Sequence, residues 1–170
     1  MAGFWFPILL FLLPIYVTNA SAMVFGGKTP LDLNIIWRDG RPILGKGKTF
    51  QGTFFGVFFG TLTALLLWAI FPLQTAEMTG NFVAFGFLIS LGAVIGDLVK
   101  SFIKRRLGKK SGEEFLLADQ LDFVIGALVF GWVFFAPTAL QILVMILATI
   151  VVHRIANWIA FKTKLKTVPW

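Results

Sequence analysis

Long apolar stretches alternate with short polar ones along the whole chain. The apolar runs cover about residues 4–25, 52–71, 81–99, 121–135 and 138–161. Four of the five have the roughly 20 residues that an α-helix needs to cross the hydrocarbon core. The fourth run is short: either residues 115–120 extend it inward, or it sits where the bilayer is thinned. The pattern predicts an all-α polytopic membrane protein with five transmembrane helices. Little chain is left for a soluble unit, so residues 1–170 are expected to form one domain.

Charge then orients the pattern. Of the 15 Lys and Arg residues, all but Arg154 lie in 26–50, in 100–120 or in the tail 162–170. Residues 72–79 and 136–137 carry none, and Glu77 is their one charge. Cytoplasmic loops are the ones that keep basic residues. The two long loops and the C-terminus are therefore expected in the cytoplasm, with the N-terminus outside and any chemistry at the cytoplasmic membrane face. A content of 58% hydrophobic and 14% charged residues excludes an ordinary soluble domain. The lack of cysteine excludes disulfides, thiolate metal sites and cysteine nucleophiles. Asn19–Ala20–Ser21–Ala22 has the look of a signal cleavage site, but the first six residues lack the positive start such a signal needs. A retained first helix is expected, with Phe4, Trp5 and Phe6 as an outer aromatic belt.

Gly52, Gly56 and Gly60, like Gly92 and Gly96, recur at i, i+4 and form stripes that let helix backbones approach closely; a glycine-lined lipid groove is the alternative. In the first loop, Thr29–Pro30–Leu31–Asp32 has the form of a capping box with Pro at the first helical position. It predicts a short helix through Trp37, with Leu31, Ile35 and Trp37 on the membrane surface. Gly45–Lys46–Gly47–Lys48–Thr49 invites a P-loop reading, which fails because Pro42 stands where the first glycine belongs and no strand precedes it. Glycines and lysines before a helix N-terminus still suit a phosphate. An ordinary basic cluster at lipid headgroups explains them equally well.

Acids appear among the bases of the second loop. Asp97, Ser101 and Lys104 share one helical face, with Lys100 beside them, and Lys104–Arg105–Arg106 forms a dense cationic patch. Asp119 and Asp122, one turn apart, point into the start of the fourth run. Carboxylates at membrane depth are costly unless paired or metal-bound. Asp97, Asp119 and Asp122 are thus candidate ligands for a hard cation such as Mg²⁺, with ion pairs to neighbouring Lys and Arg as the alternative. On the last helix His153 and Asn157 share a face, which fits a packing hydrogen bond better than catalysis. Arg154 is a candidate, with Arg106, for the edge of a headgroup or lipid-phosphate pocket.

The run Gly96–Asp97–Leu98, Ser101, Lys104–Arg105, then Asp119–Gln120–Leu121–Asp122, resembles the signature of the CTP-dependent phosphatidate cytidylyltransferases. With Asn34, Arg38, Arg41–Pro42 and residues 45–52 added, the resemblance is closest to their archaeal branch, the CDP-archaeol synthases, over nearly the whole chain. Gln120 stands where the wider family has Arg, and residues 113–117 replace a proline–glycine–histidine–glycine stretch. The resemblance implies transfer of CMP from CTP to the phosphate of 2,3-bis-O-(geranylgeranyl)-sn-glycerol 1-phosphate, giving CDP-archaeol and pyrophosphate with Mg²⁺. It implies that Asp97, Asp119, Asp122 and Lys104 are catalytic and that Asn34, Arg38, Lys46, Lys48, Thr49, Ser101 and Arg105 bind CTP. The partners are then CTP, a prenyl-ether lipid phosphate and membrane lipids, with no nucleic acid. The attacking group is the lipid's own phosphate, so no Ser, Cys or His nucleophile is required. Two rivals are a CDP-alcohol phosphotransferase, whose D-G-x₂-A-R motif is not found here, and a non-enzymatic channel or scaffold, which leaves the Asp placement unexplained.

Overall fold

The computed structural model describes residues 3–111, 113–115 and 118–165. Gly112 in the second loop, and Leu116 and Leu117 of the 113–117 stretch, lie outside the described residues. Among the described residues six helices follow one another: α1 (Trp5–Val24), α2 (Phe50–Ile70), α3 (Pro72–Met78), α4 (Phe82–Arg106), α5 (Ala118–Gly131) and α6 (Ala139–Lys162). No strand forms among the described residues, only the isolated bridges Pro30–Thr49 and Ile36–Pro42.

Helices α1, α2, α4 and α6 are each long and apolar enough to cross a membrane. Their starts are set by local chemistry. The Thr49 hydroxyl accepts from Gly52 N at 3.1 Å, the Asn81 amide oxygen from Ala84 N at 3.1 Å, and Thr138 with Gln141 forms a capping box. At the other end of α4, Lys104, Arg105 and Arg106 occupy the last turn, where positive charge complements the helix dipole.

The short fourth run differs in extent from the expected 121–135, shifted inward as its possible extension by 115–120 suggested. Residues 121–135 do not form one helix; α5 has 14 residues, about 21 Å at the α-helical rise, against a core of roughly 30 Å. It starts earlier than the apolar run, at Ala118, and stops at Gly131, whose carbonyl accepts from both Phe134 N and Phe135 N at 3.0 Å. Pro137, without an N–H, then precedes the Thr138 cap. The turn carries Phe134 and Phe135 to Phe85 near the start of α4. The chain has then returned to the end where α1 begins, since Gln141 Nε2 donates to Phe4 O.

Close backbone approach holds the bundle together. Helices α1 and α2 run antiparallel: a Cβ at Gly52 would stand 2.7 Å from Ala22 O, and one at Gly56 3.1 Å from Thr18 O. On the other side α4 meets α5, and a Cβ at Gly126 would lie 2.9 Å from Gly96 Cα. The glycine stripes are packing surfaces, as their spacing predicts. The core between them is built on Phe11, Ile15, Phe85, Ile89, Val124 and Met145, all fully buried. Phe54, Phe58, Leu66, Val129 and Leu147 are exposed on the outside, as side chains facing lipid would be.

The first loop differs from expectation. No helix runs from Thr29 through Trp37; the segment is a series of turns with Leu33 and Asn34 at positive φ. Asp32 does not reach back to cap Thr29. Its Oδ2 instead accepts from Leu44 N at 2.8 Å and Gly45 N at 2.9 Å, and its Oδ1 from Asn34 N at 3.1 Å. Three backbone bonds to one carboxylate outweigh the local helical preference.

Candidate active site

The folded first loop delivers Lys46 and Lys48 to a cavity that α4 and α5 also line. Burial pushes the Asp32 carboxyl up, but the N–H groups of Gly45, Leu44 and Asn34 outweigh it and hold the group below its ordinary value. Gly45, at φ +95°, packs beneath Arg105, and a Cβ there would stand 3.7 Å from Arg105 Nε. Arg41 donates to the carbonyls of Arg105 (3.3 Å), which also accepts from Gly108 N, and of Arg106 (2.7 Å) at the end of α4. Arg106 in turn pairs with Asp39 at 2.9 Å and lies over Phe102 and Trp37. Thr49 caps α2 and also accepts from Gly27 N. Lys48, one residue before the cap, thereby points at α4.

On α4, Asp97, Lys100 and Lys104 are spaced i, i+3, i+7 and line one cavity. The close approach at Gly92, Gly96 and Gly126 brings the first two turns of α5 alongside, with Asp119 and Asp122. Lys48 Nζ donates to Asp97 Oδ1 at 2.7 Å. Lys100 Nζ lies 3.2 Å from Asp97 Oδ1, 3.0 Å from Asp119 Oδ1 and 2.7 Å from Asp122 Oδ2. Lys104 Nζ reaches both oxygens of Asp119 at 3.1 Å and donates to Glu113 O. Asp119 also accepts from Phe115 N at 2.7 Å. Three carboxylates and three ammonium groups therefore form one network whose formal charges cancel.

A cavity of about 550 Å³ opens beside this network. Lys46, Lys48, Asp97, Lys100, Asp119 and Asp122 line its polar end. Away from that end it runs between α1 and α6, past Tyr16, Ala20, Val152 and Ala156. His153 and Asn157 also face it, joined at 3.1 Å, with the imidazole stacked on Phe123. That hydrogen bond agrees with the packing role expected from their spacing.

Of the candidates named from sequence, Asp97, Asp119, Asp122, Lys46, Lys48, Thr49 and Lys104 meet at the cavity. Ser101 and Arg105 are buried on α4 but do not line it. Asn34 and Arg38 lie on the exposed turns of the first loop, Arg106 braces that loop, and Arg154 is exposed on α6; none of these lines the cavity either. Lys100 is the residue that sequence reasoning leaves out of the candidate set. Its place three residues after Asp97 and four before Lys104 is the signal that points to it.

As they stand, no three Asp, Glu, His or Cys side chains among the described residues close into a metal-ligand set. The point on which Asp97, Asp119 and Asp122 converge is filled by the Lys100 ammonium. The donors nevertheless suit a hard divalent cation, being carboxylate oxygens. Asp122 Oδ2 is buried and receives no well-aligned hydrogen bond, despite its ion pair with Lys100.

The family model described as "CarS-like: CDP-archaeol synthase" matches residues 1–170. A CDP-archaeol synthase of Methanocaldococcus jannaschii is 43% identical over 172 residues, covering 97% of each chain. One from Pyrococcus abyssi is 40% identical, covering 99% of this chain and 96% of its own. A solved structure described as "Structural insight into an intramembrane enzyme for archaeal membrane lipids biosynthesis" superimposes with a TM-score of 0.80. It is 33% identical and covers 88% of this chain and 91% of its own.

Proposed function

The chain belongs to the CDP-archaeol synthase family, and from that premise we propose that it transfers CMP from CTP to the phosphate of 2,3-bis-O-(geranylgeranyl)-sn-glycerol 1-phosphate, releasing pyrophosphate. One observation carries the reading at the level of residues. An acid–lysine network stands at the polar end of a cavity whose other wall is formed by membrane-crossing helices. A nucleoside triphosphate and a lipid phosphate need such a meeting place, half polar and half apolar.

A phosphate oxygen of the lipid attacks the α-phosphorus of CTP, and the bond to the β-phosphate oxygen breaks as pyrophosphate leaves. No protein nucleophile takes part. The chain's work is to bind and orient two polyanions and to offset their charge. Lys46, Lys48 and Lys104 are placed to meet phosphate oxygens, and the α1–α6 side of the cavity takes the lipid. Asp97, Asp119 and Asp122 would hold the divalent cation, which we take to be Mg²⁺; when bound it supplies charge neutralisation at the phosphates. The positive-inside pattern and the cytoplasmic supply of CTP support a cytoplasmic position for this end of the bundle.

A CDP-alcohol phosphotransferase would act on a CDP-lipid and would not need CTP. Thermal unfolding of the detergent-solubilised chain separates the two. CTP with Mg²⁺, at about a hundred times its dissociation constant, should stabilise by about 2.7 kcal/mol, and CTP or Mg²⁺ alone should do markedly less. Stabilisation by a CDP-lipid and none by CTP with Mg²⁺ would overturn the assignment.

A further inference from the structure

Lys100 stands where the reading above puts a cation. We propose that its ammonium is an exchangeable internal counter-ion. It holds Asp97, Asp119 and Asp122 together until a divalent cation takes its place on the same carboxylates, and then remains in the cavity as a positive group for phosphate. The proposal rests on the metal reading under Proposed function and goes beyond it in assigning a role to a residue of this chain.

Three features of the network favour exchange over a permanent ion pair. The first is position: one nitrogen lies within 3.2 Å of an oxygen from each of three carboxylates. The second is redundancy. Asp97 keeps Lys48 as a partner when Lys100 leaves, and Asp119 keeps Lys104 and Phe115 N. The third is the gap in that redundancy. Asp122 Oδ2 is buried and ion-paired only with Lys100 among the described residues, and it has no well-aligned hydrogen bond. An arriving divalent cation finds that oxygen waiting and two others already compensated. A hard dication attracts three carboxylates more strongly than an ammonium does. The displaced ammonium, on its flexible four-carbon stem, still lines the cavity that receives the nucleotide.

The test is Mn²⁺ binding to the purified full chain, followed by electron paramagnetic resonance with and without CTP. Without nucleotide, Lys100→Met should bind Mn²⁺ about tenfold or more tightly than the wild type, because the competing ammonium is gone. The gain should vanish in the double variant Lys100→Met/Asp122→Asn. With CTP present, Asp122→Asn alone should weaken Mn²⁺ binding. If Lys100→Met does not fold, Lys100→Arg gives the same test with opposite sign. Its fork grips carboxylates more firmly than an ammonium, so Mn²⁺ should bind less tightly than to the wild type. Wild-type binding that depends on Asp122, with no change on substituting Lys100, would overturn the exchange and leave the metal reading intact. No Mn²⁺ binding by any form, even with CTP, would sink both.

Discussion

Asp32 gathers the N–H groups of Asn34, Leu44 and Gly45 onto one carboxylate, and so sets the path that carries Lys46 and Lys48 to α4. Its folded pKa is depressed below the ordinary 3.8. Its contribution is therefore complete above that value and is lost as pH falls through the lower folded one. The Asp32→Asn variant keeps the shape and lacks the charge. It should be less stable at neutral pH by about 1.5–3 kcal/mol, the worth of hydrogen bonds to a charged group. Its thermal midpoint should also fall less steeply than that of the wild type between about pH 5 and about pH 3. Parallel slopes for the two proteins would place the stability of the loop elsewhere. This role was not legible in the sequence. Thr29–Pro30–Leu31–Asp32 carries a helix-start pattern, but the deciding partners of Asp32 lie 12 and 13 residues away. Arg106 has a similar history: a basic run near a lipid face says nothing about Asp39, which claims this guanidinium.

At the level of elements, the contact between α4 and α5 positions the acids. Gly126 faces the backbone of Gly96, and an added Cβ would lie 2.9 Å from both its N and Cα. Neither is the end of a flexible side chain, so a helix must move. Gly126→Ala should cost about 1–3 kcal/mol, as overpacking does, and should displace Asp119 and Asp122 from Lys100. Thermal unfolding and cytidylyl transfer measured on the same preparation should therefore both fall. Unchanged values in both would mean that α4 and α5 have room to spare. The Gly92 and Gly96 stripe was readable from its four-residue spacing. The length of α5 was not, because hydrophobicity continues from Gly131 to Phe135 while the helix stops at a glycine ahead of Pro137. An apolar run reports what lipid or core tolerates; the helix within it ends where backbone partners change.

For the whole molecule, two loops far apart in sequence meet at one end of the bundle and complete a candidate site that neither holds alone. Lys48 comes from the first, Lys104 and the three aspartates from the second and its flanking helices. The aspartates and lysines at helix ends were legible because charge at membrane depth demands a reason. Arg154 was drawn in by the same argument, and Asn34 and Arg38 by the family resemblance; all three lie outside the cavity, since neither signal says which face of a turn or helix a side chain takes. The most direct measurement is transfer of radiolabelled CMP from CTP to the prenyl-ether lipid phosphate by the purified protein with Mg²⁺. It is made for the wild type and for Asp97→Asn, Asp119→Asn and Asp122→Asn, with folding checked by thermal unfolding. Labelled CDP-lipid should form with the wild type, and each variant should lose at least about 100-fold in rate, some 2.7 kcal/mol of barrier, while remaining folded. No labelled lipid from the wild type, or near-normal turnover in all three variants, would contradict the site and the chemistry assigned to it.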